Sequence, residues 1–117
     1  LRPFRQENAG PARARNRGVR EARGAVVVFV DDDVEPQPGF LAAHAAHHDR
    51  NPRVAVIGPQ SPDPARRRAE PPWIAWEHAQ MLRQYDAFRT GRWSEAGPHH
   101  FYTGNASVRR EHLLGVG

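Results

Sequence analysis

Cysteine and lysine are absent from this chain, and no apolar run is long enough to cross a bilayer. The lack of cysteine excludes disulfide bonds and thiolate metal sites, and it favours a reducing compartment, so we expect a cytoplasmic protein. All 17 basic residues are therefore arginine, and the formal net charge is +4. The base composition of a GC-rich genome is the simplest explanation of this preference, although arginine also binds phosphate bidentately.

Hydrophobic spacing and turn residues predict alternating helices and strands. Helices are predicted at residues 11–22, 40–50, 73–88 and 107–114, and strands at residues 25–30, 53–57 and, briefly, 101–103. The continuous apolar strand at 25–30 predicts burial on both faces in a parallel sheet, within a right-handed βαβ unit. An average sheet has roughly five or six strands, and this sequence predicts only two convincing ones. We therefore expect residues 1–117 to be the central part of one larger α/β domain.

Three adjacent carboxylates, Asp31, Asp32 and Asp33, follow the first predicted strand. Open α/β sheets bind ligands outside the carboxyl ends of their strands. Magnesium and manganese prefer oxygen ligands and take only one or two protein carboxylates, with water and substrate phosphate as the other ligands. In an extended chain Asp31 and Asp33 point to one side and Asp32 to the other. The pattern predicts a divalent metal with a phosphorylated ligand, and a solvated acidic turn is the alternative.

Two further motifs contain candidate ligand contacts. Arg15, in the sequence Ala-Arg-Asn-Arg-Gly, precedes the acids by about one helix and is a candidate for binding a nucleotide, with an ordinary surface arginine as the alternative. Thr103, Gly104 and Asn105 lie in a predicted turn that suits sugar hydroxyls or phosphate, and a helix N-cap by Asn105 or Ser107 is the alternative. The arginine run at 66–68 lacks the interleaved aromatic residues of a nucleic-acid site.

The order of these motifs resembles that of family-2 glycosyltransferases with the GT-A fold. Their central stretch has Asn-x-Gly, Ala-Arg-Asn-x-Gly, an apolar strand, Asp-x-Asp, Pro-x-Phe-Leu and Gly-x-Asn-x-x-x-Arg-Arg. The chain is similar at residues 8–10, 14–18, 26–30, 31–33, 38–41 and 104–110, although Gly and Asn are adjacent in the last segment. The resemblance implies a partial, Rossmann-like GT-A sheet with flanking helices, incomplete as a domain.

The resemblance also implies a reaction, namely the metal-assisted and inverting transfer of a sugar from a nucleotide-sugar. Asp33 and Asp31 would hold Mn²⁺ or Mg²⁺, and the three acids with Arg15 would bind a UDP-, GDP- or dTDP-sugar. The turn at 103–105 would border the donor sugar and the acceptor, which is a glycan, a lipid or another molecule. No nucleic-acid partner is expected, and association of the parent protein with the cytoplasmic face of a membrane stays open.

By the same resemblance, a base-binding strand would precede Leu1 and the catalytic base would follow Gly117. We therefore expect the isolated piece to be inactive and unstable. Two other functions stay open on the sequence. One is a metal-dependent nucleotidyl or phosphoryl transferase, which also uses paired carboxylates. The other is an arginine-rich module for anionic polymers, whose affinity would fall steeply with salt.

Overall fold

The computed structural model describes residues 2–63, 65 and 70–116, so the arginine run at 66–68 lies outside the described residues. The elements in chain order are α1 Gly10–Glu21, β1 Val26–Val30, α2 Phe40–Arg50, β2 Ala55–Ile57, α3 Pro72–Arg89, a 3₁₀-helix Pro98–His100, β3 Asn105–Arg109 and α4 Arg110–Gly115. The predicted helices at 11–22, 40–50 and 73–88 are confirmed to within one residue at each end.

Residue contacts divide the chain into two units, and the division falls inside every strand of the sheet. The first unit contains Leu1–Val28, Pro36–Val56 and Ser107–Gly117, as far as they are described. The second unit contains Phe29–Glu35 and Ile57–Ala106, as far as they are described.

The middle strand of the three-stranded sheet is β3, because the strand order is β1-β3-β2. The backbone N–H of Arg110, directly after β3, donates to the carbonyl of Ala25, directly before β1, at 2.8 Å. The N–H of Gly58, directly after β2, donates to the carbonyl of Asn105 at the start of β3, at 2.9 Å. Because the end of one strand meets the start of its neighbour in both cases, β3 runs antiparallel to β1 and to β2.

The prediction of a parallel sheet was wrong for the described strands. β1 and β2 run in the same direction with α2 between them in sequence, but β3 separates them. β1 is half-buried at one end of the described sheet, and Val30 is 39% exposed. An apolar run indicates burial, but it carries no information about which strand pairs with it.

The prediction for residues 101–107 was also wrong. We expected a short strand, a turn and a helix from Ser107, whereas the turn at Thr103–Gly104 leads into β3, and α4 begins only at Arg110. Neither Asn105 nor Ser107 is therefore a helix N-cap. The first three residues of β3 are small and buried, and pairing in the middle of the sheet outweighs their local preference for a turn.

In the first unit, α1 and α4 are joined through Arg110. Its Nε donates to the carbonyl of Val19 at 2.9 Å, and its Nη2 donates to the carbonyl of Arg20 at 2.9 Å. Both carbonyls belong to the last turn of α1, where no backbone N–H group of the helix can donate to them. The guanidinium group thus supplies hydrogen bonds to carbonyls at the carboxyl end of α1, next to Val19, which is the buried residue of that helix.

Candidate functional site

The three carboxylates Asp31, Asp32 and Asp33 form an exposed turn directly after β1. The N–H of Val34 donates to the carbonyl of Asp31 at 3.3 Å. Proline at positions 36 and 38 prevents a return to the strand ladder, because proline has no N–H to donate. The local sequence therefore ends the strand here and leaves the three aspartate residues exposed to solvent.

Asp31 lies against Gly104, in the turn that precedes β3. A Cβ atom placed on Gly104 would come within 2.9 Å of Oδ2 of Asp31 and would overlap the side-chain amide of Gln60. Only glycine fits this position without displacing a neighbour. The structure therefore brings together the predicted acidic turn and the predicted turn at 103–105. Gln60 was missed in the sequence, because a single glutamine in a polar loop belongs to no recognisable motif.

A cleft of about 940 Å³ in the second unit includes this contact in its lining. Its volume lies within the range of roughly 300–1,000 Å³ that is usual for small-molecule sites. One face of α3 contributes positions 76, 80, 83, 84 and 87, whose spacing of three to four residues is helical. The remaining described lining comprises Asp31, Gln60, Glu77, Met81, Arg92, Trp93, Phe101, Tyr102, Thr103 and Gly104.

The other predicted binding residues have different surroundings. Asp32, Asp33 and Asn105 are not part of the cleft lining in the portion of the chain that the structure describes. Asn105 is buried in β3, and its Nδ2 donates to the carbonyl of Pro59 at 2.9 Å. Arg15 is half-buried on α1, in the first unit. The roles of these side chains toward a ligand stay predictions.

Tyr85 connects α3 to the loop that contains Gln60. Burial raises the pKa of the Tyr85 hydroxyl above its ordinary value, a hydrogen bond with the backbone of Gln60 opposes this rise, and the nearby Tyr102 adds to it. Tyr85 is therefore a neutral phenol at physiological pH. Its contact with the backbone of Gln60 helps to position the side chain that packs against Gly104.

The oxygen donors at the end of β1 fit a hard divalent cation that takes part of its ligand set from substrate. Within residues 2–63, 65 and 70–116, no group of three or more His, Cys, Asp or Glu side chains could hold a metal ion. Mg²⁺ usually binds one or two protein carboxylates and completes its shell with water and phosphate. Asp31 and Asp33 are exposed residues that suit that arrangement, so metal binding would depend on a bound phosphorylated ligand.

The ring of Trp93 is held in an aromatic cluster that follows α3. It makes an edge contact with Phe88 at 5.3 Å and a tilted contact with His100 at 5.6 Å between ring centroids. Its backbone N–H donates to the carbonyl of Ala87 at 3.1 Å. Aromatic pairs of this kind contribute about 0.5–1.5 kcal/mol beyond their buried area. The cluster leaves Trp93 45% exposed, so the cleft contains an accessible aromatic ring in a defined position.

A buried polar cluster in the first unit was not predicted. Nδ1 of His44 and Nε2 of His48 each lie 2.8 Å from Oγ of Ser107, and all three side chains are buried. A hydroxyl has one proton, so with neutral imidazoles one ring donates to Ser107 and the other accepts from it. The helical spacing of the two histidines is visible in the sequence. Their shared partner lies 63 and 59 residues away, where no sequence signal indicates it.

An antiparallel sheet with helices and an acidic turn is compatible with part of an α/β glycosyltransferase domain. The family model described as Glycosyl transferase family 2 matches residues 1–115. The chain therefore belongs to glycosyltransferase family 2, and the resemblance seen in the sequence is confirmed. Membership supports sugar transfer from a nucleotide-sugar donor to an acceptor in general terms. No curated protein and no solved structure matches the chain significantly.

None of the described helices is both long and apolar enough to cross a bilayer.

Proposed function

We propose that residues 1–117 are the central part of a single GT-A glycosyltransferase domain that transfers a sugar with inversion. The contact between Asp31 and Gly104 is the observation that carries this proposal. It joins the acidic turn after β1 to the turn before β3, beside a cleft of ligand size. Family membership supports the reaction class, and this contact supports the position that we propose for the reaction.

The donor is a UDP-, GDP- or dTDP-sugar whose diphosphate lies at the acidic turn. Asp33 and Asp31 are the residues that would hold Mn²⁺ or Mg²⁺, and Asp32 and Arg15 contact the nucleotide. When bound, such an ion supplies Lewis-acid stabilisation of the negative charge on the departing diphosphate. The planar guanidinium group of Arg15 suits bidentate hydrogen bonds to phosphate oxygens.

The acceptor hydroxyl attacks the anomeric carbon opposite the diphosphate, which inverts the configuration at that carbon. The glycosidic bond forms as the bond from carbon to the diphosphate oxygen breaks, and the hydroxyl proton passes to a base. We assign that base to none of the described residues. Thr103, Gly104 and Asn105 border the donor sugar and the acceptor. Bound substrates would have to exclude water from the cleft, because water would otherwise compete as acceptor.

Manganese-dependent nucleotide binding by the full-length protein tests the metal role. We expect calorimetry with UDP, GDP and dTDP to detect binding in Mn²⁺ that is largely lost in EDTA or in Asp33→Asn. Glu35→Gln is a matched control, because it removes an exposed carboxylate from the same loop and should leave the affinity unchanged. Equal affinity of wild type and Asp33→Asn for every nucleotide that binds would contradict the role given to Asp33.

A further inference from the structure

We propose that the cleft of the second unit binds a saccharide acceptor whose ring faces stack on Trp76 and Trp93. The hydroxyl groups of this saccharide would bond to the amide and carboxylate side chains of the lining. The inference rests on the proposed function, because glycosyl transfer requires an acceptor beside the donor. It adds the chemical class of that acceptor and the residues that recognise it.

Accessible aromatic rings are concentrated in the cleft. Trp76 is 63% exposed, and Trp93, Phe101 and Tyr102 are exposed as well, although all four are large rings that proteins commonly bury. The face of an aromatic ring carries negative potential and attracts the C–H groups on the flat face of a pyranose ring. Aromatic rings that line a cleft therefore suit sugars, which present such faces together with hydroxyl groups at their edges.

One tryptophan of the lining is already held in place before any ligand binds. Trp93 is held by ring contacts with Phe88 and His100. A ligand that binds to positioned side chains causes a smaller loss of conformational entropy than one that must order them.

The polar part of the lining favours a neutral ligand rich in hydroxyl groups. Its charged side chains are two carboxylates and two guanidinium groups, so their formal charges cancel. These residues are Asp31, Glu77, Arg83 and Arg92. Amide groups come from Gln60, Gln80 and Gln84. Amides and carboxylates together accept and donate the hydrogen bonds that sugar hydroxyls need. An acyl chain would desolvate these groups without replacing their hydrogen bonds, so a saccharide fits better than a lipid tail.

The same cleft also includes the residues that we place at the donor. Asp31 and Gly104 belong to its lining together with Trp76 and Trp93. A saccharide stacked on the tryptophan rings would therefore lie in the same cavity as the acidic turn. This arrangement is the one that a transfer between a nucleotide-sugar and a saccharide requires.

A glycan array tests the acceptor class with the full-length protein. The array carries neutral, acidic and amino-sugar oligosaccharides, undecorated peptides and phospholipid vesicles. Calorimetry then measures Kd for the best-retained oligosaccharide. We expect Trp76→Ala and Trp93→Ala each to raise Kd at least about tenfold. Trp73→Ala is the matched control, because Trp73 is an exposed tryptophan of α3 outside the described lining, and its Kd should equal that of wild type.

Asp33→Asn separates the acceptor proposal from the metal proposal. Stacking on tryptophan does not require a metal ion, so this variant should lose nucleotide binding and keep its affinity for the oligosaccharide. If no saccharide is retained, or if Kd is unchanged in both tryptophan variants, the acceptor proposal is overturned while nucleotide binding stays intact. Retention of peptides or vesicles in place of every saccharide also overturns it.

Discussion

Oγ of Ser107 lies 2.8 Å from Nε2 of His48, and both side chains are fully buried. His44 makes a second contact of 2.8 Å with the same oxygen, so one hydroxyl joins two turns of α2 to the middle strand of the sheet. Nη2 of Arg109 adds a hydrogen bond of 3.0 Å to the carbonyl of His48. The first unit is therefore held partly by buried groups whose hydrogen bonding changes when a proton is added.

We expect the protein to become less stable as pH falls below the ordinary pKa of histidine. Burial lowers the pKa of His48 below 6.5, and the charges of Arg109 and His44 lower it further. The hydrogen bond with Ser107 opposes this shift, and His47 adds to it. The unfolded chain binds this proton more readily than the folded chain does. The contribution of neutral His48 to the free energy of unfolding is therefore fully present above pH 6.5, and it is lost as pH falls toward the lower pKa of the folded state. Urea denaturation from about pH 8 to about pH 5 measures this loss.

Two histidine variants identify the group responsible. His48→Gln should flatten the dependence of the unfolding free energy on pH, because the buried titrating group is gone. His47→Gln should keep most of the slope, because His47 is exposed on the same helix. A slope that is the same in His48→Gln as in wild type would assign the pH dependence to another group.

We expect Gly104→Ala to weaken manganese-dependent nucleotide binding by up to about tenfold, since even a small displacement of a positioned side chain at an active site has a cost. The new methyl group would lie 2.9 Å from Oδ2 of Asp31 and overlap the amide end of Gln60, so these two side-chain ends would have to move. Gly115→Ala is the control, because no described atom lies within 4 Å of a Cβ atom at that position. Calorimetry measures affinity, and circular dichroism checks the fold. Wild-type affinity in folded Gly104→Ala would show that the position of Asp31 is unimportant.

Arg110→Lys should destabilise the protein by about 1–2 kcal/mol. Lysine keeps the charge, but it lacks the planar fork with which the guanidinium group donates to Val19 and Arg20. Urea denaturation measures the loss, and hydrogen exchange should show faster opening at the carboxyl end of α1. The exposed Arg53→Lys should change stability by less than about 0.5 kcal/mol. Unchanged exchange in Arg110→Lys would mean that these two bonds do not hold the end of α1.

The helices were predictable because their signals are local. Spacing of three to four residues located α1 and α3 to within a residue, and proline at position 11 marked the start of α1. β3 was not predictable, because Gly-Asn-Ala-Ser is a turn-like sequence until neighbours on both sides pair with it. Because β3 was not recognised as a strand, β1 and β2 were predicted to be neighbours in a parallel sheet. In the structure β3 lies between them.

The candidate site was predictable in part. The order of motifs indicated that the acidic turn and the turn at 103–105 belong to one site, and Asp31 does lie against Gly104. Gln60 and the tryptophan residues of the cleft had no such signal. Aromatic residues at helical spacing predict a buried stripe as readily as a binding surface, and only their exposure distinguishes the two.

The amino-acid order alone was enough to identify the family, three of the helices, and the carboxylates at the end of β1. Each of these follows from residues close together in the chain, or from the succession of short motifs. The strand order, the contact of Asp31 with Gly104, and the bond of Ser107 with His48 came from the folded chain. These features join segments far apart in sequence, and such pairing depends on close approach and shared burial that no local pattern encodes.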